Sequence, residues 1–175
     1  PPETRHNPPM ADLTEGLLVA LAAAVGVENL RTGAAVNEDH SHDEALTVGW
    51  RMPDAVVLPT TTAQVAAVLR LAAEHRVPIT PRGSGTGLSG ACVPTDGGIV
   101  IAFEAMNRVL EIDTENHMAV VQPGVTLEQL NAELAPHGFF YPVSPGENSA
   151  SLGGNVATNA GGMRAVKYGV TRHHV

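Results

Sequence analysis

Apolar residues fall along this chain in two patterns, short continuous runs and stretches spaced three or four apart. Residues 13–25 are rich in leucine and alanine and run into Gly26, which predicts a short helix closed by a glycine cap. Four apolar residues at 55–58 predict a strand. Thr61 with Gln64 then makes a capping box, and Val65, Val68, Leu69 and Ala72 give the following helix its apolar face. Residues 77–80 predict a second strand, so 55–80 is a β-α-β unit, a pattern that favours a parallel pair with a right-handed crossover. Three further apolar runs at 98–103, 109–112 and 118–121 predict the strands of a meander. Thr126 with Gln129 opens another helix, lined by Leu127, Leu130 and Leu134 and stopping near Pro136 and Gly138. The polar, aperiodic stretch 29–50 reads as loop, and the proline-rich residues 1–10 as a mobile leader. No repeat, low-complexity tract or charged linker interrupts this order. The division expected is residues 1–50 as leader, helix and loop, 51–103 as a first subdomain and 104–175 as a second.

Charge and cysteine content narrow what such a chain binds. Its 175 residues suffice for one domain or two small subdomains, and its formal charge of -8 gives no general attraction for nucleic acid or an acidic membrane surface. An anionic ligand must therefore be held by local groups. The single cysteine, Cys92, excludes an internal disulfide, suits a reducing compartment and has no neighbouring base or second thiol, so it reads as packing. No apolar run approaches the roughly 20 residues that span a bilayer, and 1–10 lacks the layout of a secretory signal, so the expected location is cytoplasmic. His40, His42 and Asp43, like His173 and His174, lack the spacing and second partner of a zinc site, and no metal is expected. Trp50 reads as packing.

Two glycine-rich segments carry the chemistry. Residues 81–90 (PRGSGTGLSG) place glycines at alternate positions beside Arg82, Ser84, Thr86 and Ser89, so that backbone N–H groups can ring an anion such as a pyrophosphate. The stretch 85–90 formally matches G-x-G-x-x-G. That motif must open a helix, whereas Pro94, Gly97 and Gly98 break one here, so a nicotinamide Rossmann site is disfavoured. No Gly-Lys-Ser or Gly-Lys-Thr closes the loop as a P-loop would. In the second segment, residues 151–162 (SLGGNVATNAGG), a helix over 151–159 puts Ser151, Gly154, Asn155 and Thr158 on one small, hydrogen-bonding face with Leu152 and Val156 pointing elsewhere. Gly161 and Gly162 are expected to end that helix, and Pro145-Gly146 to make a turn before it. Such a face suits a ligand lying against it.

These two segments, in this order, resemble the FAD-binding domain of FAD-linked oxidases of the vanillyl-alcohol oxidase and p-cresol methylhydroxylase (PCMH) type. The residues 42–45 (HDEA), 59–82, 122–125 (QPGV) and 153–162 resemble the branch that holds the FAD subunit of glycolate oxidase, D-lactate dehydrogenases and D-2-hydroxyglutarate dehydrogenase. The resemblance implies an α+β, two-subdomain PCMH-type fold with FAD between the subdomains. It implies that Arg82, Gly83, Ser84, Gly85, Thr86, Gly87 and Ser89 surround the pyrophosphate. Pro145, Gly146, Ser151, Gly154, Asn155, Thr158, Asn159, Gly161, Tyr168 and Gly169 are implied to meet the rest of the cofactor. The FAD is implied to be noncovalent, because residues 82–90 hold no histidine to tether it. The implied activity is oxidation of a small-molecule 2-hydroxy acid by hydride transfer to flavin, with electrons leaving to a separate acceptor. Against the family pattern the chain stops at Val175, before the last FAD-domain strands and the substrate domain, so residues of catalysis are not assigned and little turnover by these residues alone is expected. The other function class is a binding or scaffold module without catalysis.

Overall fold

The computed structural model describes residues 13–94 and 97–175. The predicted leader at 1–10 lies outside them. Helix α1, Glu15–Val25, starts at Thr14, whose hydroxyl accepts from Leu17 N at 3.3 Å, and ends at Gly26 with a positive φ of 94°. The stretch expected to be loop then forms β1, Leu30–Thr32, and two short 3-10 turns at Gly33–Ala35 and Glu38–Ser41. Three residues without an alternating pattern left no signal for β1; its antiparallel pairing with the next strand makes it a strand.

β2, Ala55–Val57, leads into α2, Thr62–His75, and thence to β3, Ile79–Arg82. Thr61 caps α2 by accepting from Gln64 N at 3.2 Å, while Gln64 reaches back to Thr60 N at 2.7 Å, one residue earlier than a capping box requires. β2 and β3 run in the same direction but do not pair. β4, Ile99–Ala102, enters between them, parallel to both, and the sheet order is β1-β2-β4-β3. The expected meander is therefore split: its first run belongs to this sheet. Only β5, Val109–Asp113, and β6, Met118–Val121, form the antiparallel hairpin, with a register shift that leaves Leu110 exposed.

Side-chain alternation in the buried strands explains the layers. Ala55, Val57, Ile99 and Ile101 pack with Leu17, Leu21 and Val25 of α1 and Val68 and Ala72 of α2, whereas Val56, Val100 and Ala102 face the other way onto Val36. On α2 the predicted Val68 and Ala72 are buried in this core, but Leu71 flanks them in place of Leu69, which stands 46% exposed, so the apolar stripe is turned by a fraction of a turn from the predicted one. A second core forms on α3, Leu127–Leu134, where Leu127, Leu130 and Leu134 pack with Val125, Ala150 and the hairpin residues Val109, Ile112, Ala119 and Val121. Thr126 caps α3 by accepting from Gln129 N at 3.1 Å, and Gly138, at φ 77°, follows its closing 3-10 turn. Two short helices complete the chain, α4 at Leu152–Thr158 and α5 at Ala165–Tyr168. Asn159 in the left-handed region, φ 51°, ends α4, two residues before the expected Gly161-Gly162, because it receives the capping role that asparagine tolerates.

Candidate functional site

The two glycine segments meet across 67 residues of sequence, where the backbone N–H of Ser151 donates to Ser84 Oγ at 2.8 Å. β3 delivers the first segment as an irregular loop at its carboxyl end, and no helix follows it before β4 among the described residues. A Cβ at Gly83 would overlap Ser151 Oγ, and one at Gly154 would stand 3.0 Å from the same oxygen. Glycine is what lets the loop lie on the start of α4. Ser151 is fixed from behind: it bridges Thr126, Leu152 N–H donates to Val125 O at 2.8 Å, and Gly153 N–H donates to Pro123 O at 2.8 Å. Its hydroxyl accepts from Gly154 N at 3.3 Å.

One turn along α4, Asn155 is 4% exposed and its Nδ2 has no hydrogen-bond partner. A buried amide donor left unpaired costs about 1–3 kcal/mol, which a ligand acceptor would offset. Thr158 Oγ1 donates to Gly154 O at 2.9 Å on the exposed end of the helix, and Asn159 Oδ1 accepts from Arg172 N at 3.1 Å.

Behind the loop, the predicted cation turns inward. Arg82 is 7% exposed, its Nη1 donates to His42 O at 2.5 Å, and its guanidinium occupies the space a Cβ at Gly85 would need. Gly85 itself has φ 75°. Glu44 N–H donates to Gly87 O at 2.9 Å, and Asp43, also buried, accepts from Ala45 N at 3.0 Å. Burial pushes the Cys92 thiol up, against the pull of the Arg82 charge and of a hydrogen bond from Gly83. His40 stands 3.2 Å from Glu104, and its hydrogen bond holds that carboxyl below the usual range. No group of three histidine, cysteine or acidic residues among the described residues is placed to hold a metal. Trp50 stacks on His42 at 4.1 Å and is 63% exposed, so the expected packing is a surface contact.

The remaining predicted residues lie further along. Gly162 packs on Ser144 O and Pro145 Cα, bringing the Pro145-Gly146 turn against the end of the second segment, where Gly161 approaches Val170. Tyr168 stands edge-on to Phe140 at 6.0 Å and lines a cavity of about 470 Å³ with Asn131 and Arg164, and Gly169 packs on His173. A larger cavity of about 820 Å³ lies between β5-β6, α3 and α4, walled mainly by aliphatic and aromatic side chains.

A family model described as the FAD binding domain matches residues 53–175. The chain belongs to this family. An uncharacterised FAD-linked oxidoreductase of Mycobacterium tuberculosis is 57% identical over 151 residues, 86% of this chain and 33% of the relative. A D-lactate dehydrogenase of Anaerostipes hadrus is 45% identical over 151 residues, 86% of this chain and 32% of that protein. Among solved structures, p-cresol methylhydroxylase with substrate bound superposes with a TM-score of 0.70 at 26% identity, over 84% of this chain and 30% of its own. The chain thus spans about a third of the length of the curated relatives it matches. The fold is the α+β PCMH type, and FAD is the cofactor of the domain. The residues present fit that group: the Asn155 amide, one turn along the helix that begins at the Ser84–Ser151 junction, is a buried donor without a partner. What sequence reasoning missed is the strap at 42–45, which backs the loop. Its only signal was its resemblance to the same branch, since its contacts are made by backbone atoms.

Proposed function

We propose that this chain is the FAD-binding portion of a flavin-dependent oxidoreductase that oxidises a 2-hydroxy acid of the glycolate or D-lactate type. The junction of Ser84 with Ser151, flanked by the unpaired Asn155 amide, is the observation that carries the reading. Gly83 to Gly87 line the pyrophosphate with backbone N–H groups, and Ser84, Ser89, Gly154, Asn155, Thr158 and Asn159 supply polar atoms along the rest of the cofactor. The bound flavin supplies a hydride acceptor whose electrons pass to a separate acceptor. The chain's own residues bind and orient it. The FAD is noncovalent and the protein cytoplasmic in this reading; no helix among the described residues is long and apolar enough to cross a membrane.

Titrating the purified chain with FAD and with FMN, while following flavin fluorescence, tests the cradle. Saturable quenching by FAD at concentrations where FMN gives little is expected, because only FAD carries the pyrophosphate. Equal affinity for the two would sink the assignment. A second reading is an FAD-binding module without turnover of its own. Bleaching of bound flavin by D-lactate or glycolate separates the two.

A further inference from the structure

We propose that Arg82 is a positioning residue which, together with the strap at 42–45, holds the glycine loop in its binding shape from behind. Its consequence for affinity rests on the FAD reading above; its structural content does not. An arginine at the head of a glycine loop in an acidic chain is naturally read as the group that grips the anion. Here its side chain is buried, donates to His42 O, and fills the space beside Gly85. At the other end of the loop, Gly87 O accepts from Glu44 N at 2.9 Å. Residues 83–86 are therefore an arch with both feet tied to residues 42–44.

The strap is itself anchored. Asp43 Oδ1 accepts from Ala45 N at 3.0 Å, Ser41 Oγ donates to Glu38 O at 2.6 Å, Arg51 N–H donates to Ser41 O at 3.0 Å, and His40 meets Glu104 just beyond β4. The strap residues precede the span 53–175 that matches the family model, so one half of the loop's brace comes from outside the matched span and the other half, Arg82, from inside it. Glycine segments lose more conformational freedom on ordering than any other, and a loop ordered before its ligand arrives binds without that loss. The charge contributes too, though less than a lone cation would: Arg82 forms no ion pair among the described residues, but the buried Asp43 carboxyl stands behind Gly87 and the Glu104 carboxyl also feels the Arg82 charge, so both offset it in part.

Amide hydrogen exchange at Glu44 and Ser151, whose N–H groups hold Gly87 O and Ser84 Oγ of the loop, in the full chain without FAD, paired with FAD and FMN titrations, tests this. Arg82→Met is expected to speed exchange there by about tenfold or more while β2 and β4 stay protected, and to weaken FAD more than FMN. Arg82→Lys keeps the charge and is expected to recover affinity in part, with the loop still loosened. Unchanged exchange at both amides alongside lost FAD affinity would overturn the proposal and make Arg82 a direct ligand. Arg82→Gln, which keeps a donor for His42 O, is the milder variant should Arg82→Met not fold; the same rule applies to it. If the unaltered chain binds no FAD, the FAD reading fails while the exchange result still decides the role of Arg82.

Discussion

Ser151 serves three neighbours at once: its N–H holds Ser84, its hydroxyl caps α4 at Gly154, and its side chain limits what residue 83 can be. Gly83→Ala would drive the Ser151 hydroxyl from its cap and loosen the loop, at a cost of about 1–2 kcal/mol. Thermal melting of the single variant, of Ser151→Ala and of the double checks this, because the penalty of the alanine should shrink once the hydroxyl is gone. Additive effects would show that the two residues do not press on one another. At this scale the sequence was informative about residue types and silent about direction. Glycines, serines and Asn155 could be recognised as a small polar face. That Arg82 points away from the solvent side of its loop depends on a carbonyl at His42, which no side-chain pattern encodes.

Elements with a run or a regular spacing of apolar residues were legible, and β1, which has neither, was not. α1, α2 and α3 carried hydroxyl caps and repeated leucines or valines, whereas β1 is three residues long and owes its conformation to pairing with β2. Strand order was hidden for a similar reason: the run at 98–103 reads equally as a hairpin strand or a central parallel one, and only its burial on both faces decides. The helix faces give a direct check. Leu130→Ala, within the second core, is expected to lower unfolding free energy by about 2–4 kcal/mol in denaturant titrations. Leu69→Ala, on the exposed side of α2, should cost less than about 1 kcal/mol. Similar losses for both would mean that α2 packs as the periodicity alone suggested.

Across the whole molecule, in the proposed function, a net charge of -8 and a cofactor with two phosphates are reconciled by local donors at one loop. The same scale shows an apolar surface at the larger cavity, where Met118, Val120, Phe140 and Val156 are each half exposed or more. An environment-sensitive hydrophobic dye is expected to brighten in the native chain, and Val156→Lys at the edge of that cavity to reduce the signal without shifting the melting temperature. Dye fluorescence equal in both proteins would place the apolar surface elsewhere. The insertion of β4 between β2 and β3 also sets an order of events during synthesis. As the chain leaves the ribosome, the two outer parallel strands emerge before the strand that joins them, with the glycine segment already out. The glycine loop at the end of β3 can take its final form only when β4 pairs with that strand. A translational pause or a cleavage between residues 83 and 98 would thus strand two unpaired edges in a nascent chain, and that is where chaperone capture of this protein should concentrate.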